Sequence, residues 1–138
     1  EPGSFWALFF RGFAYEQLGR YDQAAASLIE ARRAIGQDQM ADDLEKGFSE
    51  DDYAGLLRVM VRYFTDFQRG QPTSLAMIYA RLGDKDTAFH WLEKGYEMKT
   101  RSIVTLNVEP QNESLRDDQR FADLVRLIGL PPVDSNRS

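Results

Sequence analysis

The chain has no cysteine and a single histidine, His90, among its 138 residues. Without cysteine there is no disulfide framework and no thiolate metal site. That absence does not choose a compartment, so cytoplasm and periplasm both stay open. One histidine and no thiol leave little from which to build a nucleophile and its base. No G-x-S-x-G elbow and no glycine-rich phosphate loop occurs either. The acidic pairs Asp42-Asp43 and Asp51-Asp52 read as solvated charge, and Asp84-x-Asp86 lacks the glycine and the distal glutamate of a calcium loop. His90 falls off the apolar face of its helical stretch and reads as an ordinary surface residue. The expectation is a protein that is not an enzyme and uses no cofactor or metal.

Long apolar runs are also missing. The richest, Phe5–Phe10, is cut by Arg11, far short of the roughly 18 to 20 residues a membrane helix needs. The formal charge is −5, and the lysines and arginines are scattered. Bulk electrostatics therefore gives no support to nucleic acid as a partner, and no membrane insertion is expected. Glu1-Pro2-Gly3-Ser4 carries no initiator methionine and lacks the basic-then-apolar order of a signal peptide, so a fragment of a longer protein is expected. With 43% hydrophobic and 12% aromatic residues, the chain has the composition of one domain with a packed core.

What is present is helical periodicity. In the stretch from Ser74 to Tyr96, Leu75, Ile78, Tyr79 and Leu82 recur at helical spacing. Gly83-Asp84 breaks the pattern, and Ala88, Trp91, Leu92 and Gly95 resume it, so two helices folded back on each other are predicted. The frame occurs twice. With Gly19 set against Gly83, Tyr15 meets Tyr79, Leu18 meets Leu82, Asp22 meets Asp86, Ala24 meets Ala88 and Leu28 meets Leu92. Small residues on the first helix (Gly12, Ala76) and on the second (Ala24, Ala88) suit the crossing points of packed helices. Gly19 and Gly83 suit a left-handed turn between them.

This frame resembles the tetratricopeptide repeat, whose pattern is matched by Gly12, Tyr15, Gly19, Tyr21, Ala24 and Ala31. The resemblance implies an all-α right-handed solenoid of about three helix hairpins. The two clear repeats lie about two family periods apart, so a degenerate unit is expected between them. Its second helix would run from Asp51 to Arg69 with Ala54 in register with Ala88. Its first would be a short helix within Gln37 to Phe48, with Met40, Leu44 and Phe48 as its apolar stripe. The expected organisation is a single domain over 1–130, with repeats at about 5–36, 37–70 and 71–98, a C-terminal cap over 99–130 and a frayed tail at 131–138. Pro72 would open the third unit, and acids at Glu50–Asp52 and Asp84–Asp86 would mark helix starts.

In the cap, Ser102–Val108 is predicted as a short helix or an extended packing segment, ended by Glu109-Pro110. Asp117 or Asp118 would cap a last helix with Phe121, Leu124, Val125 and Ile128 on one face, stopped by Gly129. This run resembles the C-terminal end of many bacterial tetratricopeptide proteins, which implies a larger bacterial protein. Here Glu109-Pro110 stands for the familiar Asp-Pro, and Asp118-Gln119 replaces a second one.

The family register implies that first helices line the concave side. The first unit would offer Trp6, Phe9, Phe10, Phe13, Glu16 and Gln17, and the third Thr73, Ser74, Met77, Ala80 and Arg81. Aromatics joined by methionine and arginine are the composition of an interface hot spot. The expected function is a protein–protein interaction module binding an apolar or amphipathic peptide or a neighbouring domain, with Glu16 and Arg81 at the rim. Modules of this family that grip a chaperone's C-terminal carboxylate resemble each other in lysine and asparagine at positions held here by Phe9 and Phe13, which disfavours that use. Internal packing of the aromatics, a ligand-sensing pocket near Phe9 and Phe13, and homo-oligomer formation through the same face remain as alternatives.

Overall fold

The computed structural model describes residues 4–66, 72–98, 103, 106 and 109–129. Its α-helices are α1 (Phe5–Gln17), α2 (Tyr21–Ala34), α3 (Asp38–Asp66), α4 (Pro72–Leu82), α5 (Lys85–Glu97) and α6 (Gln119–Ile128), with a short 3-10 helix at Pro110–Leu115. No strand occurs among the described residues. The fold is an all-α helical repeat. The chain divides into two compact units, Glu1–Tyr63 and Phe64–Ser138.

In the first unit, α1 and α2 form the first predicted hairpin. Ser4 opens α1 by accepting the Ala7 backbone N–H on its side chain at 3.2 Å. Leu8, Gly12 and Glu16, spaced four apart, form the buried stripe. A β-carbon on Gly12 would lie 2.9 Å from Leu28 Cδ2, so the two helices cross where only hydrogen fits. Ala24 and Ala31 are fully buried on the other side of that crossing. The turn that follows recurs in the second unit. Gly19 has φ +75° and Gly83 φ +84°. In each turn the next N–H reaches back to a tyrosine carbonyl, Arg20 to Tyr15 at 2.9 Å and Asp84 to Tyr79 at 3.0 Å. This pairing satisfies carbonyls that the helix end would otherwise leave open.

The middle unit is a hairpin of two helical arms within α3. Asp51 and Asp52 leave helical geometry within α3, with Asp52 at φ +52° and ψ −146°, and the flanking arms, 38–50 and 53–63, fold against each other. Glycines make the closest contact. A β-carbon on Gly47 would stand 2.7 Å from the Gly55 carbonyl oxygen, and one on Gly55 would strike the Gly47 carbonyl. The register expected from the repeat is therefore off by one: Gly55 is buried at the crossing, while Ala54 is only half-buried. Toward the open end the Tyr63 hydroxyl donates to Asp43, with Arg62 3.5 Å from the same carboxylate. That hydrogen bond holds the Asp43 carboxyl below its usual range and pushes the Tyr63 phenol up.

In the second unit, α4 and α5 repeat the hairpin. Pro72 is the first residue of α4, and Asp84 caps α5 by accepting the Thr87 N–H at 3.2 Å. Ala76, Ala80 and Ala88 are buried with Phe89 and Leu92. Ile103 and Leu106 are buried on the same core and joined by a backbone turn; the rest of Ser102–Val108 and the tail at 131–138 lie outside the described residues. Glu109-Pro110, expected only to end the preceding segment, leads into a six-residue 3-10 helix with Pro110 as its first residue. Asn112 ties it back by donating Nδ2–H to the Leu106 carbonyl at 3.3 Å, and the Ser114 hydroxyl donates to the Ala80 carbonyl at 3.0 Å. Asp118 caps α6, Phe121, Leu124 and Val125 are buried, and Gly129 ends the helix in the left-handed region.

Arg120 fastens this cap to α5. Its guanidinium meets Asp118 and Asp86, both at 2.9 Å, and lies 4.4 Å from the centre of the Phe89 ring. Hydrogen bonds from that guanidinium, then from the Arg120 backbone N–H, lower the Asp118 carboxyl from 3.8 to about 2.

Candidate interaction face

Aromatic side chains on α1 touch one another along the helix. Trp6 stacks on Phe10 with centroids 6.0 Å apart, and Phe9 meets Phe13 edge-on at 4.4 Å. Phe5 stacks on Phe9 at 5.4 Å and lies 5.1 Å under the Arg32 guanidinium. The i, i+4 spacing of these residues produces the contacts, since positions four apart share a face. Burial grades across the helix. The stripe of Leu8, Gly12 and Glu16 is buried, Phe5, Phe9 and Phe13 are half-buried, and Trp6 and Phe10 are 62% and 60% exposed. Phe5, Phe9 and Phe13 thus brace the two aromatics that face water.

The other expected site residues fall differently. Gln17 is exposed. Glu16 is not at a rim: it is buried and accepts the Tyr53 hydroxyl. The reason is visible in hindsight, because Glu16 continues the packed Leu8-Gly12 stripe at the next four-residue step. In the second unit, Met77 and Arg81 are half-buried on α4, and Arg81 Nε donates to the Met77 carbonyl at 3.3 Å. Thr73 and Ala80, expected on the open side of that helix, are buried instead. A β-carbon on Gly95 would sit 3.2 Å from the Thr73 methyl, so Thr73 packs on α5.

An open groove of about 420 Å3 runs between α2 and the first arm of α3. Ala25, Ala26, Ile29 and Phe48 form its floor. Asp22, Glu30, Glu45 and Arg33 stand around it. The one trace of this groove in the sequence is the Ala24-Ala25-Ala26 run, which leaves α2 thin on more than one face. Among the described residues, no group of three or more acids and histidines is placed to hold a metal ion, and no helix is long and apolar enough to cross a membrane.

The tetratricopeptide repeat model matches residues 7–32 and 73–101. These segments are the α1–α2 and α4–α5 hairpins, while α3, with its displaced crossing glycine and its glycine-free turn, lies between the matches. Comparisons with curated proteins and with solved structures gave no match. Repeats of this family typically act as non-enzymatic scaffolds that engage other proteins. Two matched hairpins, each with its small-residue crossing and left-handed glycine turn, show that this chain carries tetratricopeptide repeats and is of the all-α helical-repeat class.

Proposed function

We propose that the chain is an interaction module whose first unit binds an apolar or amphipathic segment of a partner protein on the aromatic face of α1. The observation that carries this reading is the exposure of Trp6 and Phe10 on a helix whose other aromatics hold them in place. Large aromatics fixed in one conformation lose little entropy on binding, and they dominate interface hot spots. Met77 and Arg81 of the second unit would, taken by themselves, offer adaptable apolar and polar contacts. The resemblance of the C-terminal run to longer bacterial proteins supports reading the chain as one module of such a protein.

The test pairs the chain with a Trp6→Ala/Phe10→Ala variant. Peptides selected from a random library against the original chain are expected to be rich in Leu, Phe and Met and to bind the variant at least about tenfold more weakly. Both side chains are solvent-exposed, so the melting temperature is expected to stay within about 2 °C. Equal binding to both proteins refutes the reading. A dimeric chain that becomes monomeric in the variant assigns the face to self-association.

A further inference from the structure

We infer that the groove between α2 and the first arm of α3 is a second docking surface, which takes a basic amphipathic segment of a partner protein. The groove lies on α2 and α3, and the inference does not depend on the reading of α1. Its floor is apolar because Ala25 and Ala26 leave a hollow beside Ile29 and Phe48. About 420 Å3 accommodates one or two large aliphatic side chains.

The rim decides which segment fits. Three carboxylates, Asp22, Glu30 and Glu45, surround the hollow against one guanidinium, Arg33. That guanidinium is already shared between Asp42 at 2.8 Å and Glu45 at 3.2 Å. Glu30 is met by Arg11 at 2.9 Å, while Asp22 has no ion pair among the described residues. Arg11 and Arg33 are each matched by carboxylates of this rim, and Asp22, without such a partner, leaves the charge beside the apolar floor negative. A leucine entering the hollow beside a lysine or arginine is complemented twice, since the long stem lies along the floor and the charged head reaches the rim. An acidic segment, or a phosphate backbone, meets like charge.

The experiment uses the full chain with labelled isoleucine methyls, so that Ile29 reports from the groove and Ile78 and Ile128 from elsewhere. The probe is a 14-residue amphipathic peptide of leucine and lysine. Its control has glutamate in place of every lysine. The leucine–lysine peptide is expected to shift the Ile29 methyl, with affinity falling as salt is raised. Ala26→Phe, which fills the hollow from an exposed position, and Asp22→Lys are each expected to weaken it about tenfold, with methyl spectra otherwise unchanged. Trp6→Ala/Phe10→Ala is expected to leave this binding intact, so failure of the α1 reading and failure of this one are distinguishable. The inference is overturned by an unmoved Ile29 methyl, by equal binding of the glutamate peptide, or by indifference to Ala26→Phe. It is also overturned if Ile29 shifts with protein concentration alone, since the occupant is then a second copy of the chain.

Discussion

Replacing Asp52 by glycine and, separately, by alanine tests whether α3 is a hairpin or a single long helix. Inside a regular helix glycine is less stable than alanine by about 1 kcal/mol. At Asp52 the backbone stands at φ +52° and ψ −146°, a region that glycine enters freely and that costs residues with a β-carbon about 1–3 kcal/mol. Both substitutions remove the same carboxylate from the start of the second arm, so its interaction with the helix dipole cancels in the comparison. What remains is the strain that glycine relieves, about 2 kcal/mol, less its extra unfolded freedom, about 0.5–1 kcal/mol. The glycine variant is expected to be more stable than the alanine variant by about 1 kcal/mol. That inverts the order of a continuous helix. In urea, with a slope of about 1–3 kcal/mol per molar, the two midpoints separate by roughly 0.3–1 M. An alanine variant as stable as the glycine variant, or more so, refutes the turn at Asp52 and with it the middle hairpin.

Gly55→Ala is expected to destabilise the chain by about 1–3 kcal/mol despite alanine's better helix propensity, because the new methyl strikes the Gly47 carbonyl, which cannot turn away. A neutral or stabilising result in the same urea titration would mean that the arms do not approach so closely. At low pH, Asp118 contributes stability that is complete above its usual value of 3.8 and lost as the pH falls through about 2, since its folded carboxyl is held down. A carbon-detected titration of the Asp118 carboxyl is expected near 2 in the chain and back toward 3.8 in an Arg120→Gln variant. An unchanged midpoint would show that the guanidinium does not hold this carboxylate.

Much of the fold was legible because it is local. The helical spacing of Leu75, Ile78, Tyr79 and Leu82, the turn at Gly83 and the resumption at Ala88 depend on residues within one hairpin, and the same frame around Gly19 repeats it. The cap residues Asp84 and Asp118 follow from the chemistry of helix ends, which needs an oxygen acceptor wherever the chain starts a turn. The middle unit was legible only in outline. Its turn has no glycine, and its crossing uses Gly47 and Gly55 where counting by repeat length pointed to Ala54. Register by counting fails once a unit has lost part of a turn.

The candidate faces divide along the same line. The concentration of aromatics on α1 is a property of the sequence, and so is their i, i+4 contact. Which of them face water is not, because exposure depends on the neighbouring helices and separates Trp6 and Phe10 from the half-buried Phe9 and Phe13. Glu16 became a buried acceptor for Tyr53, a residue 37 positions away, and no local pattern contains that partner. The groove on α2 likewise exists only because Phe48 and Glu45 arrive from α3 to complete it. Sequence alone determined the α1–α2 and α4–α5 hairpins, their glycine turns and the Asp84 and Asp118 caps, since each is written within a few helical turns of chain. Tertiary structure decided which apolar residues became core and which became surface, because burial is set by whatever distant segment comes to lie against them.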